Sequence, residues 1–409
     1  MDKSPAVAAT RIERRSVLQG AAALAALAPA LLRVLPAQAQ AGGDSTAAIF
    51  AYLGSFTTQK RKGHGGGINV YRIDPASGAW SHEQLLEIVN PSFLALDREQ
   101  RFLYSVHSDL EVVSSYAIDE QTGHIKALNL QTCGGKNPVH LSIDPSGRWI
   151  ITANYTGGSV GVVPIEKDGT LGPLSDLVAL KGEPGPDRVR QEGSHPHNAV
   201  FDPSGKFLAI PDLGLDRIFV FRLDAANGKL IPNDPPFVAT RKRAGPRHIA
   251  FHPKMPFAYV VDELASTVTA YRFDPERGSL QPIQILPATP PGYVGELSSA
   301  EIAVAPDGRV VYASNRCNDS IAIFTVDQTA GTLTTVGWAP THANSPRFFG
   351  LDPAAKFLYA ANADEGFGPP DVQSTDTIVQ YRIEANGMLK PTDQVIKVNS
   401  PCTIVFRTA

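Results

Sequence analysis

Apolar and polar positions along most of the chain follow a pattern that repeats. Each repeat begins with a proline or serine, passes through two variable residues into four apolar or small residues, and then reaches a turn such as Asp202-Pro203-Ser204-Gly205. A second apolar run, often containing Phe-Leu-Tyr, follows the turn. Two short apolar runs on either side of a turn of this kind are typical of an antiparallel β-hairpin.

Seven copies of the pattern occur, and successive copies begin 47 to 58 residues apart. The copies begin at Pro91, Pro138, Pro196, Pro246, Ser299, Pro346 and Pro401. A period near 50 residues is typical of a propeller or a solenoid.

Two further apolar segments follow the hairpin in most copies. After Gly214, for example, come the strand-like segment 217–224, a turn at Asn227-Gly228 and another short apolar segment. Four strands per period, with no helical pattern between them, predict an all-β, seven-bladed β-propeller. One blade cannot bury both of its faces, so the blades must stack around a central axis.

The seventh copy indicates how the ring of blades closes. It stops at Phe406, three residues before the end of the sequence, so its second strand is missing. The segment 50–52, Phe-Ala-Tyr, matches 257–259, the second strand of the fourth copy. We therefore expect the N-terminal strand of the mature chain to complete the last blade, which removes exposed sheet edges that would promote aggregation.

The first residues have a different pattern. The pair Arg14-Arg15 precedes an Ala- and Leu-rich stretch at 20–36, and Ala37-Gln38-Ala39 supplies an A-x-A cleavage site. This order predicts a twin-arginine export signal and a mature protein in the periplasm. A membrane anchor is the alternative, but the apolar run is short and is interrupted by Arg33.

These boundaries predict a signal peptide at 1–39, a linker at 40–47 and the propeller at 48–409. The whole chain carries a formal charge of −3, and residues 40–409 carry −6, with 32 basic and 38 acidic residues. A mildly acidic, mixed surface argues against nucleic acid as a partner. We expect a monomer with no membrane segment in its mature form.

The cysteines do not indicate a metal centre. Cys133, Cys317 and Cys402 are few and widely spaced, and no Cys-x-x-Cys or other metal-ligand spacing occurs. The cysteines therefore predict no cysteine-based metal site.

Distinctive polar residues recur at fixed positions of the repeat, counted from its first residue as zero. Position sixteen, where the second strand ends, is polar in all copies, with Ser55 in the closing one. The residues are His107, Asn154, Asp212, Asp262, Asn315, Asn362 and Ser55.

Three other positions carry charged or imidazole side chains in some copies only. Position one holds His197, Arg247 and Arg347, position two holds His140, His248 and Glu301, and position seventeen holds Glu263 and Arg316. In a hairpin the start of one strand lies beside the end of its partner. These positions are therefore expected to gather at one end of each blade, around one mouth of the central channel.

Each of these residues also has a structural interpretation. An Asn or Asp that ends a strand commonly binds its own backbone in a turn, and a lone His in the loop 193–197 would usually be structural. That loop holds both His195 and His197, which strengthens a functional interpretation. Two guanidiniums at the same position, Arg247 and Arg347, indicate anion recognition. Glu263 interrupts an apolar strand exit among basic neighbours.

Several short segments, in this order, resemble one known family. They are Ser194-His195-Pro196-His197, Asp212-Leu213-Gly214-Leu215-Asp216, Gly245-Pro246-Arg247-His248, Glu263-Leu264, Ser299-Ala300-Glu301-Ile302, Ser314-Asn315-Arg316 and Pro346-Arg347-Phe348-Phe349. Together they resemble the seven-bladed propeller lactonases, which include propeller-type 6-phosphogluconolactonases and carboxy-cis,cis-muconate cyclases. The resemblance covers about residue 48 to the C-terminus.

The resemblance implies a metal-independent site at one mouth of the channel that hydrolyses a lactone, and with it we expect no metal and no cofactor. It implies catalytic roles for His197, Arg247, Glu263 and Arg316. We expect substrate-binding roles for His195, Asp212, Glu301, Asn315 and Arg347. The partner would be a small-molecule lactone.

Lactone hydrolysis needs residue types of this kind. A base must activate water, cations or dipoles must stabilise the oxyanion, and an acid must protonate the leaving alkoxide. Glu263 or His197 could be the base, and Arg247 and Arg316 could hold the oxyanion, a carboxylate or a phosphate. No Gly-x-Ser-x-Gly elbow is present, so no serine nucleophile is predicted.

6-Phosphogluconolactone is a cytosolic metabolite, whereas this chain is predicted to be exported. An unphosphorylated sugar lactone is therefore a second candidate substrate. Two other functions stay open: a muconate-type cycloisomerase using the same site, and a propeller that only binds ligands. A metal-dependent site built from Glu301 and the position-sixteen Asn residues is a further alternative. The Pro-rich insert 181–193, just before the His-Pro-His segment, is predicted to be a mobile lid.

Overall fold

The computed structural model describes residues 49–75, 77–363 and 376–408, and these form seven four-stranded antiparallel sheets. The only helical element in those ranges is a 3-10 turn at Gln59–Arg61. The prediction of an all-β, seven-bladed propeller is confirmed. We number the blades after the seven copies of the repeat.

Blades 1 to 3 contain the strands β4 to β15. Blade 1 consists of β4 (Pro91–Leu96), β5 (Phe102–His107), β6 (Val112–Ile118) and β7 (Ile125–Thr132). Blade 2 consists of β8 (Pro138–Ile143), β9 (Trp149–Asn154), β10 (Ser159–Pro164) and β11 (Asp176–Ala179). Blade 3 consists of β12 (Val200–Phe201), β13 (Leu208–Asp212), β14 (Arg217–Asp224) and β15 (Lys229–Ala239).

Blades 4 to 6 contain β16 to β27. Blade 4 consists of β16 (Pro246–Phe251), β17 (Phe257–Asp262), β18 (Thr267–Asp274) and β19 (Ser279–Pro287). Blade 5 consists of β20 (Ser299–Val304), β21 (Val310–Asn315), β22 (Ser320–Val326) and β23 (Leu333–Pro340). Blade 6 consists of β24 (Pro346–Leu351), β25 (Phe357–Asn362), β26 (Thr377–Ile383) and β27 (Leu389–Lys397).

Blade 7 is assembled from both ends of the described chain. Its strand order is β28 (Pro401–Thr408), β1 (Ile49–Ser55), β2 (Gly67–Ile73) and β3 (Trp80–Glu87). β1 pairs with β28 from Ile49 opposite Thr408 to Ser55 opposite Pro401. The predicted closure of the last blade by the N-terminal strand is therefore confirmed.

The first strand of each hairpin is the innermost strand of its blade. Along the ring, β4 packs against β8 and β28, and β20 packs against β16 and β24. Position zero of the repeat pairs with position sixteen in all seven blades, for example Pro246 with Asp262 and Ser299 with Asn315. A proline is tolerated there because the first residue of a strand need not donate a ladder hydrogen bond.

A β-bulge follows position zero in six of these pairings. In blade 4 the register shifts by one residue between Pro246 and His248, and blades 1, 2, 5, 6 and 7 show a shift at the same place. Bulges re-aim side chains next to active sites. Here the bulge falls on positions one and two, where the sequence places His, Arg and Glu in several copies.

Tyrosines at position thirteen link adjacent blades. The hydroxyls of Tyr52, Tyr104, Tyr259 and Tyr312 donate to carbonyls of glycines in the outer turns of the next blade, at 2.9 to 3.3 Å. Their rings are fully buried in the apolar layers between sheets. The repeat therefore encodes both the strands of a blade and its attachment to the next one.

The predicted signal peptide and linker lie outside the described residues. Within the described ranges, no helix has the length and apolar character needed to cross a bilayer.

Candidate active site

Three of the candidate catalytic residues reach the same mouth of the channel from blades 4 and 5. Arg247 lies at the start of β16, whereas Glu263 and Arg316 directly follow β17 and β21. The backbone N–H of Glu263 donates to Gly245 at 2.7 Å, and that of Arg316 donates to Ser298 at 2.9 Å. These backbone bonds fix position seventeen of each blade beside the start of the inner strand.

Glu263 is the centre of an ion-pair cluster. Its Oε1 lies 3.0 Å from Nη2 of Arg316 and accepts a hydrogen bond of 2.5 Å from Nη2 of Arg190, and its Oε2 lies 3.1 Å from Nε of Arg247. The carboxylate is 2% exposed. Burial alone would raise its pKa, but Arg316, Arg190 and Arg247 outweigh burial and hold the pKa of Glu263 well below its usual range.

A carboxylate so strongly held in its ionised form is a weak proton acceptor. Of the two bases predicted from the sequence, Glu263 is therefore the less suited to activating water. Its geometry instead orients three guanidiniums, which can stabilise negative charge on a substrate.

Arg247 is buried and contacts its own blade and blade 5. Its Nη1 donates to the carbonyl of Ala300 at 2.5 Å, and its Nε faces Glu263. Burial and the nearby Arg347 and Arg316 lower the pKa of Arg247 to about 9, so it stays charged at neutral pH. Losing Glu263 would leave this buried charge without its closest counter-ion.

A cavity of about 330 Å³ opens at this mouth. Six cationic side chains and one carboxylate face it, together with an imidazole, a tyrosine, an asparagine and two apolar side chains. The lining residues are Phe56, Lys60, Arg61, Lys62, Asn137, Val139, Tyr155, Arg190, His197, Glu263, Arg316 and Arg347. The cavity is therefore strongly cationic although the chain as a whole is acidic.

His197 and Arg347 line the cavity from position one of their blades. His197 is buried, its backbone N–H donates to Pro211 at 3.0 Å, and its Nδ1 lies 3.2 Å from Nε2 of His248. The guanidinium of Arg347 lies over the ring of Phe56, 5.3 Å from its centroid. The structure thus places His197, Glu263, Arg316 and Arg347 on the cavity wall and attaches Arg247 to it through Glu263.

His195 and Asp212 support the wall from behind. The ring of His195 stacks on that of Tyr155 with centroids 4.4 Å apart, and its Nδ1 bonds the carbonyl of Tyr155 at 2.9 Å. Asp212 accepts hydrogen bonds from Ser194 and from the backbone N–H groups of His195, Gly214 and Leu215. These contacts fit the structural interpretation of both residues.

Asn315 and Glu301 make internal contacts as well. Asn315 accepts from Ser299 at 2.7 Å and donates to the carbonyl of Ala288 at 2.8 Å. Oε1 of Glu301 lies 2.9 Å from Nδ1 of His248. Neither residue is part of the cavity lining described above, and their predicted substrate contacts stay predictions.

The repeat could have revealed two cavity residues that the sequence analysis missed. Tyr155 and Phe56 occupy position seventeen in blades 2 and 7, the same position as Glu263 and Arg316. Counting that position through every copy would have found both.

Four further cations came from loops outside the repeat. Lys60, Arg61 and Lys62 belong to the 3-10 turn and its C-cap between β1 and β2, and Arg190 belongs to the insert 181–193. The insert is anchored by hydrogen bonds, since Gln191 donates to Leu213 and Gly185 donates to Gly214, both at 2.8 Å. The insert covers part of the channel mouth and places Arg190 in contact with Glu263.

Among the described residues, no group of three or more His, Cys, Asp or Glu side chains is arranged to hold a metal ion. The positive charge at the cavity is supplied by guanidinium and ammonium groups.

The model of the seven-bladed β-propeller lactonase family matches residues 50–406. The chain belongs to this lactonase family. The resemblance of its motifs is thereby confirmed, and this lactonase is a carboxylic ester hydrolase.

Named relatives agree with that membership. The 6-phosphogluconolactonase of Bacillus subtilis (strain 168) is 37% identical over 77% of this chain and 88% of its own length. The 6-phosphogluconolactonase of Formosa agariphila is 32% identical over 87% of this chain and 99% of its own. A solved structure, the periplasmic gluconolactonase of Pseudomonas aeruginosa, has a TM-score of 0.80 and 28% identity, and the match covers 89% of this lactonase and 99% of that chain.

Proposed function

We propose that this lactonase hydrolyses a sugar lactone that carries an anionic group, without a metal ion, in the periplasm. The cationic cavity is the observation that carries the proposal. Its lining has six basic side chains and one carboxylate, and this excess of positive charge matches an anionic lactone better than a neutral one. The anionic group would be a phosphate, as in the 6-phosphogluconolactone of the named relatives, or a carboxylate. The twin-arginine motif and the periplasmic relative support the location.

The cations fall into two groups that suit two parts of such a substrate. Lys60, Arg61 and Lys62 form the outer rim, and Asp109 anchors two of them, with Lys60 Nζ at 2.8 Å and Arg61 Nη2 at 2.9 Å. Arg316 lies deeper, against the buried Glu263. We assign the rim to the substrate's anionic group.

The inner guanidiniums would act on the lactone carbonyl. Attack by water converts this carbonyl into a tetrahedral oxyanion, and donors that are already oriented stabilise it without reorganisation. Arg316, held by Glu263, and Arg347, packed on Phe56, are the donors we assign to it. In this scheme guanidinium groups perform the charge stabilisation for which other hydrolases use a metal ion.

His197 is the base that would activate water. It is the imidazole on the cavity wall, and Glu263 is held ionised by its arginines. The attacking oxygen forms a bond to the carbonyl carbon, the ring C–O bond breaks, and the proton removed from water returns to the alkoxide as a hydroxyl group. The products are the open-chain acid and no second molecule.

A pH-stat assay on the mature protein tests this proposal. Substrates would be glucono-1,5-lactone, its 6-phosphate and an aldaric acid lactone, each with the spontaneous rate subtracted and with and without a chelator. We expect chelator-resistant turnover with a higher kcat/KM on the anionic lactones, and loss of turnover in Arg316→Gln. Equal or better turnover of the neutral lactone would overturn the anionic substrate, and loss of activity with the chelator would overturn metal independence.

A further inference from the structure

A chain of three buried side chains leads from the cavity into the central channel. Nδ1 of His197 lies 3.2 Å from Nε2 of His248, and Nδ1 of His248 lies 2.9 Å from Oε1 of Glu301. The three residues come from blades 3, 4 and 5 and are all less than 10% exposed. His197 lines the cavity, so the chain connects the reacting region with a carboxyl group inside the propeller.

Positions one and two of three successive blades supply this chain. His197 occupies position one, whereas His248 and Glu301 occupy position two of the next two blades. Phe93, at position two of blade 1, lies on His140 with centroids 4.1 Å apart and reaches His248 at 6.4 Å across the channel. These position-two rings are packed against one another, and His140 and His248 are almost fully buried.

We propose that His197, His248 and Glu301 form a proton relay in which His197 takes the proton of the attacking water and Glu301 stores it. This inference rests on the proposed lactonase function and adds two positioning residues, His248 and Glu301, that act through His197.

The hydrogen-bond order fixes the tautomers of both rings. An ionised Glu301 accepts from His248, so the proton of His248 is on Nδ1 and its Nε2 is an acceptor. His197 must then donate from Nδ1 to His248. The other ring nitrogen of His197, Nε2, is left with a free lone pair, which is the form a general base requires.

The proton transfer balances without forming a lasting imidazolium. As the water oxygen bonds to the lactone carbon, its proton moves to Nε2 of His197. The Nδ1 proton of His197 moves to Nε2 of His248, and the Nδ1 proton of His248 moves to Oε1 of Glu301. Both imidazoles end neutral in the opposite tautomer, and Glu301 ends as a carboxylic acid.

The reverse transfer completes the reaction. His197 now carries its proton on Nε2 and can donate it to the alkoxide released when the ring C–O bond breaks. His248 and Glu301 return to their first forms as the proton moves back along the chain. One relay thus supplies both the base and the acid that ring opening needs.

The surrounding charges explain why the proton would be stored on the carboxyl group. Burial, Arg247, His248 and Arg347 hold the pKa of His197 well below its ordinary value. The pKa of His248 is also held well below its ordinary value. Burial, Arg247, Arg347 and Arg316 lower it, and they outweigh Glu263, which raises it. A cationic imidazole is therefore unfavourable at either place.

Glu301 has the opposite preference. Burial raises its pKa to about 7, against Arg247, the Ile302 N–H, His140 and Arg347, which lower it. Its Oε2 has no hydrogen-bond partner among the described residues, which disfavours the charged form. Glu301 is thus poised to hold or release a proton near neutral pH.

The relay predicts a direction for the pH dependence. The reactive form needs Glu301 ionised, so kcat/KM should rise as pH increases through about 7 and level off above it. Below that pH, a protonated Glu301 would donate to His248 and turn Nε2 of His197 into a donor that cannot accept the proton of water.

Kinetics of Glu301→Gln test the relay. The amide oxygen can still accept from His248 but cannot store a proton. We expect kcat to fall by roughly 10² to 10⁴-fold, with KM nearly unchanged and the rise in kcat/KM near pH 7 lost. His140→Gln is the matched control, since His140 faces the same part of the channel but lies outside the chain, and it should keep the rise.

Histidine ¹⁵N NMR gives a readout that does not need a substrate. In the wild type, His197 and His248 should change from the Nδ1–H tautomer above pH 8 to the Nε2–H tautomer below pH 6, with both rings neutral throughout. In Glu301→Gln this change should disappear. If Glu301→Gln does not fold, His248→Asn replaces it as the test variant, because it breaks the chain of hydrogen bonds at its middle.

The two readouts separate failure of the relay from failure of the proposed function. Tautomers that do not respond to pH, or an unchanged pH profile in a folded Glu301→Gln, would overturn the relay even if the wild type hydrolyses lactones. A tautomer change in a protein that opens no lactone would overturn the proposed function and, with it, the catalytic role of the relay.

Discussion

The two ends of the inner hairpins use the same kind of residue in opposite ways. At the turn end, Asp97, Asp144, Asp202 and Asp352 each accept a hydrogen bond from the backbone N–H five residues later, at 2.6 to 2.8 Å. At the mouth, Glu263 and Glu301 instead contact side chains from other blades. The turn carboxylates act within one hairpin, whereas Glu263 and Glu301 act between blades.

The contacts at the turn end recur from blade to blade, whereas the residues at the mouth differ between blades. The turn contact is the same in blades 1, 2, 3 and 6 because it closes the same turn in each of these hairpins. The mouth residues differ from blade to blade because a site needs several different groups around one cavity. Stability should therefore depend on both ends, but catalysis only on the mouth.

Removing the innermost strand of blade 7 should have the largest effect. Truncation after Ser400 deletes β28, which pairs along β1 and places Ile404 in the core between blades 6 and 7. We expect the truncated protein to lose cooperative thermal unfolding, measured by circular dichroism. Deleting only residues 408 and 409 is the control and should leave the transition in place; a cooperative transition without β28 would contradict the closure argument.

Changing a mouth carboxylate should reduce both activity and stability. Glu263→Gln removes the negative charge from a buried cluster with Arg190, Arg247 and Arg316. We expect kcat/KM to fall by about 10²-fold or more and the free energy of unfolding to fall by about 3 to 5 kcal/mol. Lactone assays and urea denaturation measure the two effects.

The same substitution at the turn end is the control for Glu263. Glu276 lies in the outer turn of blade 4 and forms only an exposed ion pair with Lys206 at 3.7 Å. Glu276→Gln should leave kcat/KM and the free energy of unfolding unchanged. Full activity in Glu263→Gln would show that the arginine cluster does not need its central anion.

A turn carboxylate should affect stability alone. Asp202→Ala removes the acceptor for Ser204 and for the backbone N–H of Phe207. We expect a loss of about 1 to 3 kcal/mol in the free energy of unfolding, with kcat/KM retained under conditions where the variant is folded. Asp393→Ala, at an exposed position on β27, provides the baseline. A large drop in kcat/KM for Asp202→Ala would break the proposed separation of the two ends.

A single cation on the rim should have the smallest effect. Lys62 is exposed and lines the cavity. Lys62→Ala should raise KM for an anionic lactone by about twofold to fivefold, less at high salt, and leave KM for a neutral lactone unchanged. Lys254→Ala, at the turn end of blade 4, controls for net charge, and an equal change with both lactones would argue against an anion site at the rim.

The architecture of the propeller was predictable from the sequence. The repeat set the strand pattern, the pairing of position zero with position sixteen, the closure through segment 50–52 and the mouth at which Glu263 and Arg316 lie. These features were predictable because they depend on local periodicity, which every copy repeats. The residues that line the cavity from the repeat were also within reach, including Tyr155 at position seventeen.

How these residues act on one another depends on the packing of the blades, which the sequence pattern does not reveal. Glu263 is an ordinary glutamate in the sequence, and it becomes a poor base because three arginines from separate segments surround it. Arg190 and Lys60 to Lys62 come from loops of irregular length, whose course no period predicts. The chain from His197 through His248 to Glu301 crosses three blades, so its tautomers and the pKa of Glu301 depend on how the blades pack around the axis.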